Sequence, residues 1–235
     1  MPSFARNLPE IGLTGNQLKI IAMLAMLADH VGLYLFPSCV LLRVIGRLAF
    51  PIFSYMIAEG CYYTRNRTRY FASIAVLGIL CQAVATIVVK TWYQGILLTF
   101  SLSILSIYCL DTLRKGKHIL LRIAAFFGLL AVFFLAVVLP LLIPGTGFRF
   151  DYGALGVFLP VLLYHLKGRT AKLICTAVVL LGIAALTGSR SLFALLALPL
   201  LFLYNGKRGT PRLKYLFYVF YPAHLLLIHL ISLLF

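Results

Sequence analysis

"LKIIAMLAMLADHVGLYLF", Leu18 to Phe36, sets an aspartate and a histidine, Asp29 and His30, side by side in an otherwise apolar run. A bilayer core of about 30 Å takes about 20 helical residues, so this run is long enough to cross it. Composition extends that reading to the whole chain: 63% of its 235 residues are hydrophobic and 11% are charged, against roughly 25% charged in a soluble domain. The sequence predicts an all-α, polytopic membrane helical bundle forming a single domain over residues 1–235, with no soluble domain or linker.

About nine transmembrane helices are expected: Gln17 to Phe36, Val44 to Tyr63, Phe71 to Lys90, Tyr93 to Leu110, Leu120 to Ile143, Phe150 to Leu166, Ala171 to Thr187, Ser191 to Tyr204 and Tyr215 to Phe235. Thr14-Gly15-Asn16-Gln17 has the form of a capping box and marks the first helix start. The opening residues lack the basic, apolar and small-residue regions of a signal peptide, so the first helix is expected to be retained. No spacing of 20 to 50 residues reads as an internal repeat.

The net charge of +16 is compatible with nucleic acid binding by amount, but its placement argues otherwise. With the N-terminus inside, one face collects Arg6, Lys19, Arg65, Arg67, Arg69, Arg114, Lys115, Lys117, Arg122, Lys167, Arg169, Lys172, Lys207, Arg208, Arg212 and Lys214. The other collects Arg43, Arg47, Lys90, Arg149 and Arg190. Sixteen against five is a positive-inside signal. It predicts a cytoplasmic N-terminus, an outer C-terminus after nine spans, and a multi-pass protein of the inner (cytoplasmic) membrane. The five cysteines show no C-x-x-C pairing and read as small apolar residues, and no metal is expected. His118 and His165 fall at helix ends among basic residues and read as solvated.

Asp29 and His30 need another explanation, because ionisable side chains in hydrocarbon persist mainly where they face a partner or an aqueous cavity. Eleven residues at about 100° each bring Lys19 and His30 to one helix face, about 16 Å apart along the axis. A cation at the cytoplasmic mouth is thus aligned with an imidazole deep in the membrane. The second span, with "GRLAFPIFSYMIAEG" from Gly46 to Gly60, runs back inward. Depth pairs its Arg47 with Asp29 and His30, and its Glu59 with Lys19, while Pro51 is expected to kink the helix. In "FYVFYPAHLLLIHL", Phe217 to Leu230, Tyr218, Tyr221 and His224 recur every third residue and form a second polar stripe. These groups either line a shared cavity or lock the helices together as intramembrane ion pairs. There is no glycine-rich phosphate loop and no G-x-S-x-G elbow.

"LTGNQLKIIAMLAMLADHVG", "LRVIGRLAFPIFSYMIAEGCYYTRNRTRY", "FDYGALGVFL", "LFALLALPLLFLYNGKRG" and "KYLFYVFYPAHL" resemble the TraX family, named for the acetylase of the conjugative pilin N-terminus. TraX-like proteins are grouped with the transmembrane acyltransferase superfamily. Its acyltransferase-3 members carry a basic residue, ten others and then a histidine on their first helix, the spacing of Lys19 and His30 here. The resemblance implies transfer of an acetyl group from cytoplasmic acetyl-CoA, a donor co-substrate, to an acceptor amine or hydroxyl arriving from the membrane or outer side.

By position it assigns His30 as the catalytic histidine and Lys19 as the basic residue on the CoA side. An unperturbed imidazole, with a pKa near 6.5, suits a general base, and Asp29 or Glu59 is a candidate to orient it. CoA phosphates need cations, for which Lys19 and the "RNRTR" residues Arg65, Arg67 and Arg69 are candidates. Arg47, Glu59, Tyr221 and His224 are expected to line the channel or substrate site. The acceptor is a pilin N-terminus, a glycan, a lipid or a small molecule. A proton-coupled transporter or channel relaying protons through Asp29, His30, Glu59 and His224 is the alternative, against which the chain shows no pair of matching halves.

Overall fold

A computed structural model describes residues 12–88, 90–210 and 214–233. Six helices among the described residues are long and apolar enough to cross a membrane: Gly15–Tyr34, Val40–Tyr63, Arg67–Ile87, Ile96–Lys115, Ile119–Leu142 and Arg169–Thr187. The sixth, eighth and ninth expected spans appear as the shorter apolar helices Gly153–His165, Ser189–Phe202 and Leu216–Ser232. The fold is therefore an all-α, polytopic membrane architecture, with six rather than nine segments meeting the length of a crossing. Arg6, Arg212 and the end of the ninth expected span, up to Phe235, lie outside the described residues.

Helix α1 (Gly15–Tyr34) starts at the expected capping box. Thr14 Oγ1 accepts from the Gln17 amide at 3.3 Å, and Gln17 Oε1 accepts from the Thr14 amide at 2.8 Å. The second span is broken into α2 (Val40–Gly46) and α3 (Ala49–Tyr63). Pro51 causes the break, although not at its own position: a proline ring clashes with the carbonyl four residues earlier, here that of Arg47. The chain tightens there into short-range bonds, Arg47 amide to Val44 carbonyl and Leu48 amide to Ile45 carbonyl. Proline itself then sits in the first turn of α3, where its missing N–H costs little. Because the helix begins at Val40 rather than Val44, Arg43 lies inside it.

Next come α4 (Arg67–Val88), β1 (Tyr93–Gln94), α5 (Ile96–Lys115) and α6 (Ile119–Phe133). Helix α6 continues through a π-helical turn, Phe134–Val138, into α7 (Leu139–Leu142). After β2 (Arg149–Phe150) follow α8 (Gly153–His165) and α9 (Arg169–Thr187). A 3₁₀ segment, Ser189–Leu196, then leads into α10 (Ala197–Phe202), and α11 is Lys214–Ser232. Near the end of the 3₁₀ segment, Pro199 excludes the α-helical bond to the Leu195 carbonyl.

The chain forms two compact units, Met1–Met56 with Leu166–Phe235, and Ile57–His165. In the first, α1 packs on α2 and on α11, and α9 packs on the 3₁₀ segment and α10. Gly32 and Gly46 permit the close α1–α2 approach: a methyl at Gly46 would overlap the Asp29 side chain, and one at Gly32 would lie 2.7 Å from Leu42 Cβ. In the second unit, α5 packs against α4, α6 and α8. Its buried Thr99, Ser101, Ser103 and Ser106 suit that central place, because small hydroxyl residues let helices approach and bond back to carbonyls. Ser103 Oγ donates to the Val157 carbonyl of α8 at 2.6 Å. Only 11% and 17% of the α4 and α6–α7 spans are buried, which makes these the lipid-facing helices of the unit.

Strands β1 and β2 pair in parallel, Tyr93 opposite Arg149 and Gln94 opposite Phe150. The Tyr93 phenol donates to Asp151 Oδ1 at 2.5 Å, and burial together with that carboxylate pushes the phenol's pKa up.

Candidate functional site

Helix α1 carries His30 one turn after Met26, and the imidazole folds back on its own helix: Nδ1–H donates to the Met26 carbonyl at 2.9 Å. Helix α11 presents His224 in the same manner, with Nδ1–H donating to the Phe220 carbonyl at 2.8 Å. The two rings meet, centroids 5.0 Å apart and tilted by 59°, with His224 Nε2 3.3 Å from His30 Nδ1. The Phe220 ring stacks on His224 at 4.8 Å, and the Tyr221 ring stands edge-on to it at 5.7 Å. Phe220 and Tyr221 also pack against Ala25, Met26 and Ala49. The apolar packing of α1, α3 and α11 therefore sets the position of the histidine pair.

Asp29, adjacent to His30, turns elsewhere. Arg43 Nη1 donates to Asp29 Oδ2 at 2.7 Å and to the Asp29 carbonyl at 3.1 Å. Depth in the sequence pairs Asp29 with Arg47 and offers Asp29 or Glu59 to orient the imidazole; the direct partner of Asp29 is Arg43, because α2 starts one turn earlier than expected. Arg47 is within electrostatic reach of the same carboxylate. A pair this sheltered, each side chain 22% exposed, is strengthened by the low local dielectric. His30 directs its Nδ1–H to a carbonyl and a second imidazole rather than to the neighbouring carboxylate.

Lys19 lies half-buried on α1 with its ammonium 5.4 Å from the Phe217 ring centroid of α11, a cation–π contact. Lys172, expected among the cytoplasmic loop charges, is 2% exposed. It sits in the first turn of α9, and Nζ lies 5.4 Å from the centroid of the Tyr55 ring, which also meets the Tyr204 ring edge-on at 5.7 Å. Sequence reasoning missed it because one cation just after Arg169 looks like part of a basic loop; the start of α9 turns it inward.

In the Ile57–His165 unit Glu59 is buried on α3, 5% exposed. Arg65 and Arg69 are exposed. Arg67, expected to be available for phosphates, instead pairs with Asp111 at 2.6 Å. Tyr164 donates to the same carboxylate oxygen at 2.7 Å, Lys115 stands 3.6 Å from the other oxygen, and the Arg67 guanidinium lies over the Tyr108 ring. Asp111 escaped the sequence reading because the fourth span was ended at Leu110. Helix α5 runs on to Lys115, and this puts a buried carboxylate, 5% exposed, between cations from the start of α4 and the end of α5. Beside it, Arg114 Nη1 donates to His165 Nδ1 at 3.1 Å, so His165 is engaged rather than merely solvated.

The chain resembles the TraX protein family over residues 14–232. A probable fimbrial assembly protein, FimC serogroup H1, of Dichelobacter nodosus is 27% identical over 254 aligned positions, covering 93% of this chain and 95% of that one. The uncharacterized protein RP591 of Rickettsia prowazekii (strain Madrid E) is 38% identical over 73 residues, 31% of this chain and 27% of that protein's own length. No solved structure matches the chain. With the family match spanning all of the histidine pair, the Asp29–Arg43 pair and Lys19, the chain belongs to the TraX family.

Proposed function

We propose that the protein is an integral-membrane acetyltransferase that uses acetyl-CoA as donor and His30 as general base. The observation that carries this reading is the tautomer imposed on His30. A carbonyl only accepts, so the 2.9 Å contact to Met26 keeps the proton on Nδ1 and leaves the lone pair on Nε2. A neutral imidazole with one nitrogen committed is the form a general base needs.

A thioester is already activated, and the remaining task is to take a proton from the acceptor as it attacks. The acceptor nitrogen or oxygen bonds to the thioester carbonyl carbon, its proton passes to His30 Nε2, and the carbon–sulfur bond breaks. The thiolate of CoA then takes that proton from Nε2, and the base is restored. Lys19, on the face of α1 that also bears His30, meets the donor's phosphates. Arg65 and Arg69 raise the local concentration of this anion at the cytoplasmic side. Arg67 braces Asp111 instead. The fimbrial assembly label of the Dichelobacter relative, with the TraX membership, puts a pilin amine first among the acceptors.

Membrane vesicles carrying the protein, supplied with acetyl-CoA labelled in the acetyl group, test this reading. The expected result is one CoA thiol released per acetyl group delivered to envelope material. Thiol release no higher than in vesicles lacking the protein would overturn it, and is the result that a proton-coupled transporter would give.

A further inference from the structure

His224 faces His30 with a lone pair. Its Nδ1 lies 2.8 Å from the Phe220 carbonyl and therefore bears the proton of the neutral ring, so Nε2 is an acceptor. That acceptor is 3.3 Å from His30 Nδ1, whose proton is already directed at Met26. One N–H is thus shared between two acceptors, a carbonyl and an imidazole nitrogen. His224 is itself 4% exposed, and its ring is stacked by Phe220 and met edge-on by Tyr221.

Resting on the acetyltransferase reading above, we infer that His224 is the positioning residue of the reaction, occupying the place that a carboxylate holds in a catalytic triad. Its Nε2 and the Met26 carbonyl together hold Nδ1–H and aim Nε2 of His30 at the acceptor. As Nε2 is protonated, the Nδ1–H bond becomes charge-assisted and strengthens, so the pair favours the transition state over the ground state. No proton passes to His224, because removing the proton from His30 Nδ1 would set a lone pair against the Met26 carbonyl. A neutral acceptor also suits the surroundings. Phe220 and Tyr221 lie against the ring of His224, and a carboxylate in its place would set a charge against those aromatic side chains.

Two variants separate positioning from packing. His224→Leu fills the space without an acceptor, and His224→Gln offers an amide oxygen near the place of Nε2. In the labelled acetyl-CoA vesicle assay, His224→Leu is expected to lower kcat about 10- to 100-fold, the worth of one hydrogen bond to a charged group, with KM for acetyl-CoA unchanged. His224→Gln is expected to restore most of that loss. In ¹⁵N-histidine-labelled protein, the Nδ1 proton resonance of His30 is expected to move upfield in the Leu variant and to return in the Gln variant. Wild-type kcat in His224→Leu, or an unmoved His30 resonance, would overturn the inference. Absence of transfer by the wild type would instead overturn the acetyltransferase reading, and the resonance then decides the histidine pairing alone.

Discussion

Arg43 shows how far a single side chain carries the architecture of the first helix pair. It neutralises Asp29 at both a carboxylate oxygen and a backbone carbonyl, and so allows an acid to sit inside an apolar helix. Removing either partner strands the other. Asp29→Asn and Arg43→Gln are each expected to destabilise the protein by about 2 kcal/mol, discounted for partial exposure. The double variant is expected to recover part of that loss, as thermal unfolding of the four proteins in detergent would show; strictly additive losses would refute the coupling. Under the proposed donor role of Lys19, Lys19→Ala is expected to weaken acetyl-CoA binding about tenfold, the worth of one charge-assisted contact, while Lys90→Ala leaves it unchanged. Titration calorimetry compares them directly. At this scale the polar faces of α1 and α11, with Lys19, His30 and His224 on them, were legible in the sequence from spacing and apolar context. Arg43, Asp111 and Lys172 were not, because each lies within a turn of a helix end, where a boundary error of four residues moves a charge from loop to interior.

Among the elements, proline rules were legible in kind and shifted in place. Pro51 announced a break, but the ring acts on the carbonyl four residues back, so the helix ends at Gly46 and restarts at Ala49. The expected eighth span is a 3₁₀ stretch, Ser189–Leu196, followed by the short α10. What no periodicity revealed is how closely α1 and α2 pack. That depends on Gly46, whose missing side chain leaves room for Asp29. Gly46→Ala is expected to force the two helices apart and to cost about 1 to 3 kcal/mol, as overpacking does. It should also loosen the Asp29–Arg43 pair. A Gly46→Ala protein with unchanged melting temperature would show that the contact yields more easily than the packing implies.

For the molecule as a whole, composition announced the membrane and the helical class, and the six long apolar helices bear out both. Charge placement is the remaining guide to orientation. Moving the buried Lys172 out of the loop count leaves fifteen basic residues against five, so the positive-inside bias persists. A reporter that is active only outside the cytoplasm, fused after Phe235, is expected to be active if the chain crosses nine times; activity only from a cytoplasmic reporter would mean that one, or all three, of the shorter helices do not cross.

The central claim is that this bundle exists to hold one imidazole as a base, and turnover of His30→Ala measures it most directly. With labelled acetyl-CoA and vesicles of matched protein content, the account predicts a loss of about 10²- to 10⁴-fold in acetyl transfer, with acetyl-CoA affinity little changed. A folded, membrane-inserted His30→Ala protein that transfers acetyl groups at the wild-type rate would make His30 a structural residue and contradict the account.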